Sequence, residues 1–287
     1  MTAVFKHELR NHFHSLTAYA FGAFLLVFVG IGSMVYNIQG AMANFEYALA
    51  YISLILVVII PVLTMRTVAE EKKQKTDQLL YSLPITTTQV VLGKFFSLLA
   101  VFAAPMGIIA LYPLIFARYG EVYLPTSYGS IFSFFVMGAA FIAVGIFISS
   151  LTESQGLAAG ITVPVLLLDY YSVTLSEHVS STAMGSLIAV CVLIVLAGIV
   201  IRYLTKNDWL AYGIGTAGVM GSILLYRLDS EGFENLLPGI MAKLSLFERF
   251  YSFVNGVFDM TAIVYYGTVM IFFLFLSVQS LEKRRYN

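Results

Sequence analysis

The densest charge in this sequence lies between Arg66 and Lys75, where Glu70, Glu71, Lys72 and Lys73 run consecutively. Glu71 and Lys75 stand four apart in the favourable order for a helical ion pair. A second concentration is histidine, at positions 7, 12 and 14. Residues two apart on a helix do not face each other, and no carboxylate or cysteine is spaced to complete a metal set, so interfacial solvation is expected for them. Cys191 is the single cysteine and lies in an apolar run, which excludes an intramolecular disulfide and points to a small core residue. Gly93-Lys94 looks like the end of a phosphate-binding loop. Phe95 follows it, however, and Thr88 stands where that motif needs its first glycine. Neither H-E-x-x-H nor G-x-S-x-G occurs. The chain is therefore expected to be no enzyme, with no cofactor, metal or catalytic residue of its own.

The elements carrying these residues must lie in a membrane. Hydrophobic residues make up 59% of the 287 and charged ones only 11%, far below the roughly 25% of soluble domains. A formal net charge of 0 gives no pull toward nucleic acid. About 20 apolar residues cross a bilayer as a helix. Such runs cover Thr17 to Asn37, Tyr47 to Met65, Val91 to Phe116, Tyr128 to Leu151, Gly156 to Val173, Met184 to Leu204, Trp209 to Tyr226 and Thr261 to Leu281. The expected fold is all-α and polytopic, with about eight spans in one domain, residues 1–287.

Charge sets the orientation. With both termini cytoplasmic, all 16 basic residues fall inside except Arg118, Arg227, Lys243 and Arg249. Omitting the Gly-rich seventh span would put Lys283, Arg284 and Arg285 outside. Ala41-Met42-Ala43 has the small residues a signal peptidase prefers, but the apolar stretch from Ala18 to Val35 is longer than a signal core, so a retained anchor is expected.

The polar segments have patterns of their own. Over residues 1–16, Phe5, Leu9, His12, Phe13 and Leu16 recur at helical spacing, with Lys6, Arg10, Asn11 and His14 on the other side. That predicts an amphipathic helix in the cytoplasmic interface. Residues 66–84 predict a helix-turn-helix elbow, in which Thr76 and Asp77 start a second helix bearing Leu79, Leu80 and Leu83 before Pro84 stops it. A solvated loop has no use for that leucine stripe, so the elbow reads as a protein-docking element. Outside, within residues 228–260, Leu237, Ile240, Met241, Leu244, Phe247, Tyr251 and Val254 predict helices lying flat or re-entrant, broken near Pro238 and Gly239.

Within the spans, Asp169 is a costly ionisable group that must face protein or water, with Tyr170 and Tyr171 beside it. The three form a candidate translocation path. Gly213, Ala217 and Gly221, like Gly156 and Gly160, suit close helix packing. Pro61, Pro105, Pro113 and Pro164 predict kinks.

The stretch Pro61-Val-Leu-Thr-Met-Arg, Ala69-Glu-Glu-Lys-Lys, Thr76-Asp-Gln-Leu-Leu, Leu83-Pro-Ile-Thr and Val90-Val-Leu-Gly-Lys-Phe resembles the type-2 ABC exporter permeases. Ser149-Ser-Leu-Thr-Glu-Ser-Gln155 is similar to that family's second cytoplasmic loop. Leu244-Ser-Leu-Phe-Glu-Arg-Phe, with Phe253, Gly256, Phe258, Asp259, Tyr265 and Tyr266, looks like the gliding-motility subgroup. Lys75 departs from the pattern, standing where the family usually has a turn-forming glycine.

The resemblance implies a six-helix core, to which Met184–Tyr226 adds a pair. It also implies an ATPase-contacting element of Glu70, Glu71, Lys72, Lys73, Thr76, Asp77, Gln78, Leu79 and Leu80, with Glu153 and Gln155 as a second contact. The expected partners are two ABC ATPase subunits carrying ATP and Mg, a second permease copy or paralogue, and membrane lipids, without nucleic acid. The expected place is a bacterial cell membrane. The expected task is export of a peptide, a lipid-linked compound or another hydrophobic molecule. The competing reading is an ion-gradient-driven secondary transporter using Asp169.

Overall fold

A computed structural model describes residues 1–76, 85–178, 182–205, 208–228 and 231–286, and every regular element among them is a helix. Two compact units arise, one from residues 1–170 with 249–287 and one from 171–248.

The first unit opens with α1 (Thr2–His14), which has the expected amphipathic length and ends at Ser15. Next come α2 (Leu16–Ser33), running on into π-helical turns over Met34–Gln39, then α3 (Phe45–Ile52), α4 (Ile55–Thr64) and α5 (Ala69–Gln74). They are followed by α6 (Thr87–Ile109), α7 (Tyr112–Phe116), α8 (Leu124–Leu151) and α9 (Gln155–His178), whose last turns pass into the second unit. The unit closes with the end of α13 (Leu246–Val254) and with α14 (Met260–Tyr286).

At the centre stands α8, packed against α3, α4, α6 and α14. Its small residues explain the position, because helices in lipid associate by van der Waals packing that small side chains permit. A Cβ on Gly138 would lie 2.3 Å from the Phe102 ring on α6, and one on Gly145 would lie 2.2 Å from Thr64 Oγ1 on α4. Gly93 does the same for α1, since a Cβ there would meet Val4 Cγ1 at 2.8 Å. The glycine of Gly93-Lys94 thus lets α1 lie directly on α6.

Among the described residues, five helices are long and apolar enough to cross a membrane: Leu16–Gln39, Thr87–Phe116, Leu124–Leu151, Gln155–His178 and Met260–Arg284. They match five of the eight expected spans. The expected span Tyr47–Met65 is not one straight helix, for α3 and the helix that follows are bent by 62° at Ser53–Leu54. The backbone there bonds to the third residue back instead of the fourth, Leu56 N to Ser53 O and Val57 N to Leu54 O, while Ser53 Oγ takes the Ala50 carbonyl at 2.8 Å. This break lies well before Pro61, which sits inside α4. Pro105 and Pro164 also lie inside helices, whereas Pro113 opens α7 after α6 has ended.

In the second unit, α10 (Ala183–Thr205) packs on α11 (Asp208–Leu228), and α12 (Leu236–Leu244) follows a 3₁₀ turn at Glu231–Phe233. Of this pair only Ala183–Val195 qualifies as a shorter apolar helix among the described residues. Close approach occurs at Gly218, where a Cβ would lie 2.9 Å from Ile194. The expected small-residue contacts are absent: Gly213, Gly221 and Gly160 meet nothing described within 4 Å, and Gly156 only Ser154 Oγ at 4.0 Å. Cys191 is half-buried with Sγ 3.5 Å from Ser222 Oγ. Pro238 and Gly239 do not break the outer segment as expected. They fall in the first turn of α12, where a missing N–H costs nothing.

Candidate functional site

The elbow helix α5 has six residues, too few to hold itself together, so its ends need outside partners. Ser149, at the inner end of α8, supplies them. Its Oγ accepts from Val68 N (3.2 Å) and Ala69 N (3.1 Å) and donates to the Met65 carbonyl (3.2 Å). One hydroxyl thereby caps the start of α5 from another span. Lys72, buried on the same helix, donates from Nζ to the Ser150 carbonyl, which also accepts from Ser280 Oγ at 3.0 Å.

The far end of α5 closes by bonds from Thr76 N to Glu71 O and from Lys75 N to Lys72 O, with Lys75 left-handed at φ 58°. This is a Schellman stop with lysine in the glycine position. The sharp turn that the family's glycine supplies is therefore made here at some cost. The expected Glu71–Lys75 helical pair is lost, because Lys75 has left the helix. Replacing Lys75 with glycine relieves the left-handed strain and is expected to stabilise the elbow by about 1 kcal/mol. Slower amide exchange over residues 69–76 would register the gain.

Glu71 turns instead to Lys94. The Lys94 ammonium, 1% exposed, donates to Glu71 Oε1 (2.6 Å), Glu8 Oε1 (2.7 Å) and the Thr67 carbonyl (3.0 Å). A cation taken out of water needs such charge-assisted bonds. Three donor hydrogens meet three acceptors, so the ammonium is satisfied and ties α1, α5 and the α4–α5 turn to α6.

Beside this junction His12 of α1 is half-buried, and its Nε2 has no hydrogen-bond partner. Burial holds the His12 imidazole below its ordinary 6.5, Glu8 opposing and Lys94 reinforcing. A histidine that folds neutral contributes stability above the unfolded value and loses it as pH falls below 6.5, when the unfolded chain takes up the proton first. Acidification from pH 7 to 5.5 is thus expected to loosen α1, seen as faster amide exchange over residues 2–14. His12→Gln should abolish that pH dependence.

Between α1 and α5 opens a cleft of about 960 Å³, lined by His7, Glu8, Arg66, Glu70, Glu71 and Lys94 among others. Of the expected contact residues, Glu70, Glu71 and Thr76 line it. Glu70 accepts from Gln74 Nε2 at 3.2 Å, and Lys73 and Thr76 are exposed. Asp77, Gln78, Leu79 and Leu80, with the leucine stripe, lie outside the described residues. Glu153 is exposed and receives Arg284 Nη1 at 2.7 Å, a hydrogen bond and charge that hold its carboxyl below the usual range. Gln155 begins α9, whose Leu157 N is capped by Ser154 Oγ at 3.5 Å.

Elsewhere in the first unit, Asp169 is half-buried on α9, near enough to Tyr265 and Tyr266 for its charge to act on both. The Arg249 guanidinium stacks over the Tyr265 ring at 4.1 Å. Beside it in sequence, Tyr170 is half-buried and Tyr171 exposed.

Sequence reasoning missed Glu46, 2% exposed at the start of α3, whose Oε2 accepts from Ser127 Oγ (2.8 Å) and Oε1 from Asn44 Nδ2 (2.7 Å). It also missed Lys94, Glu8 and Ser149. The usable signal was there for Lys94, a lone charge within an apolar run.

A family model described as ABC-2 family transporter protein matches residues 25–276, most of the chain. Neither the curated proteins nor the solved structures give a match.

Proposed function

From the premise that this chain belongs to the ABC-2 transporter family, we propose that it is the permease of an exporter driven through α5 by a separate ATPase. It is a multi-pass membrane protein and a transport component by family. The fuller reading has eight spans, counting α10 and α11, both termini in the cytosol of a bacterium, and α1 along the inner interface. Two ATPase subunits hold the ATP and Mg, and a second permease copy or paralogue completes the path. This chain carries no catalytic residue in that reading. The cargo is a peptide, a lipid-linked compound or another hydrophobic molecule.

The observation that supports this most is the way α5 is fastened. Its buried side is held by α8 through Ser149 and Ser150 and by α6 through Lys94, while Lys73, Gln74, Lys75 and Thr76 are left exposed. A helix fixed at the base with a bare polar tip suits a part that is pushed by a partner. Asp169, next to Tyr265, Tyr266 and Arg249, belongs with Tyr170 and Tyr171 to the outer end of the translocation path.

Co-expression with an ABC ATPase encoded beside this chain tests the proposal. Lys73→Glu with Gln74→Glu should cut permease-stimulated ATP hydrolysis about tenfold, the effect of roughly 1.4 kcal/mol in docking. The thermal midpoint should not move. No ATPase retained on purification, together with ion-driven transport by this chain alone that Asp169→Asn abolishes, would instead establish the secondary transporter.

A further inference from the structure

A second groove, of about 430 Å³, runs along the other side of α1, and nothing above uses it. Its walls are Met1, Thr2 and Phe5 at the start of α1, Phe96, Leu99, Ala100 and Ala103 of α6, and Phe135 of α8. Apart from Thr2 the lining side chains are apolar, and the Phe135 ring is fixed by stacking on Phe102 at 5.4 Å. Phe96 is 40% exposed, so the groove opens sideways from the span.

Position on α1 says what it faces. One side of α1 meets α6 at Gly93, a second lines the polar cleft with His7 and Asn11, and a third presents Phe5 to the groove. Lys6 and Arg10, four apart, share the remaining side, between the groove face and the cleft face. Both are exposed, and among the described residues neither is in an ion pair. An apolar slot flanked on the same helix by two exposed cations, neither in an ion pair among the described residues, has the polarity order of a phospholipid: chain in hydrocarbon, phosphate at the surface.

We propose that this groove is a binding site for an anionic glycerophospholipid of the inner leaflet. One acyl chain lies along Phe96, Leu99 and Ala103, and the headgroup phosphate meets Lys6 and Arg10. The site rests on the orientation given above, with α1 at the inner surface, and needs no ATPase to form. A lipid held there would fasten α1 to the bilayer from the side opposite its ion-paired Glu8.

The test is native mass spectrometry of the full-length protein, without nucleotide, after exchange into equal phosphatidylglycerol and phosphatidylcholine. The unaltered protein should retain phosphatidylglycerol preferentially. Lys6→Gln with Arg10→Gln should lower that preference by about 25-fold, roughly fivefold for each cation near an anionic surface. Ala103→Phe, at an exposed position, should displace both lipids by filling the slot. Equal retention of the two lipids by the unaltered protein, or an unchanged preference in the double variant, overturns the proposal. So does Ala103→Phe that blocks transport yet leaves retained lipid unchanged, which would make the groove a side door for cargo. Loss of ATPase docking with lipid preference intact would count against the exporter reading alone.

Discussion

Lys94→Met will lower the stability of the folded protein by roughly 3 kcal/mol, measured as a fall in the denaturation midpoint in detergent, and will free α5 from α6 while Ser149 and Ser150 still hold it to α8. Removing one partner of a buried charge set strands the others, at a typical cost of about 3–5 kcal/mol. The lower end applies because Glu8 and Glu71 are 14% and 25% exposed and can turn toward water in the cleft. Methionine keeps most of the volume, so lost packing contributes little. If stranded charge is the cause, adding Glu8→Gln and Glu71→Gln to the variant should recover most of the loss. A single variant as stable as the parent would show that the ion cluster does not hold α1 and α5 in place.

Gly145→Val should be nearly as damaging, for a steric reason. The added Cβ would lie 2.2 Å from Thr64 Oγ1 and 2.8 Å from Thr64 Cβ, and Thr64 is fully buried with its hydroxyl bonded to the Ile60 carbonyl at 3.0 Å. A short, buried side chain has nowhere to go, so α4 must move off α8. Overpacking of this kind costs about 1–3 kcal/mol, and the branched valine points to the upper figure. Thr64→Ala in the same chain removes the clashing oxygen and should return part of the midpoint. A Gly145→Val protein that melts like the parent would mean that α4 and α8 are not in contact.

Much of this architecture is legible in residue order. Apolar length gave the long helices, and the spacing of Phe5, Leu9 and Phe13 gave α1, because a helix that must satisfy its own backbone in lipid leaves few alternatives. The bend at Ser53–Leu54 was hidden. No proline marks it, and a serine that bonds its own backbone looks like any other polar residue within an apolar run. The small-residue stripe Gly213, Ala217 and Gly221 was a poor guide for a related reason. Spacing shows where helices could approach, whereas the approaches at Gly93, Gly138 and Gly145 depend on which neighbour arrives.

The candidate site was legible as a segment and not as a set of bonds. Charge density picked out Glu70 to Lys75, but the partners of that segment lie far away in sequence: Glu8, Lys94 and Ser149. Glu71 illustrates the limit, since its local neighbour Lys75 satisfied the helical rule while Lys94 took the carboxylate. Lys75 also shows that a missing glycine need not abolish a turn when the surrounding bonds are strong enough to impose it.

The two ends of α8 hold different things. At its C-terminal end, Ser149 and Ser150 grip α5; near its N-terminal end, Ser127 holds Glu46 and Ser130 Oγ donates to the Phe253 carbonyl of α13 at 3.1 Å. These grips are separated by most of a 28-residue helix, about 33 Å from Ser127 to Ser149 at 1.5 Å per residue. A single unbroken helix therefore joins the segment that carries α5 to the segment that carries Glu46 and Phe253, and a displacement imposed at one tip would reach the other without crossing a helix break.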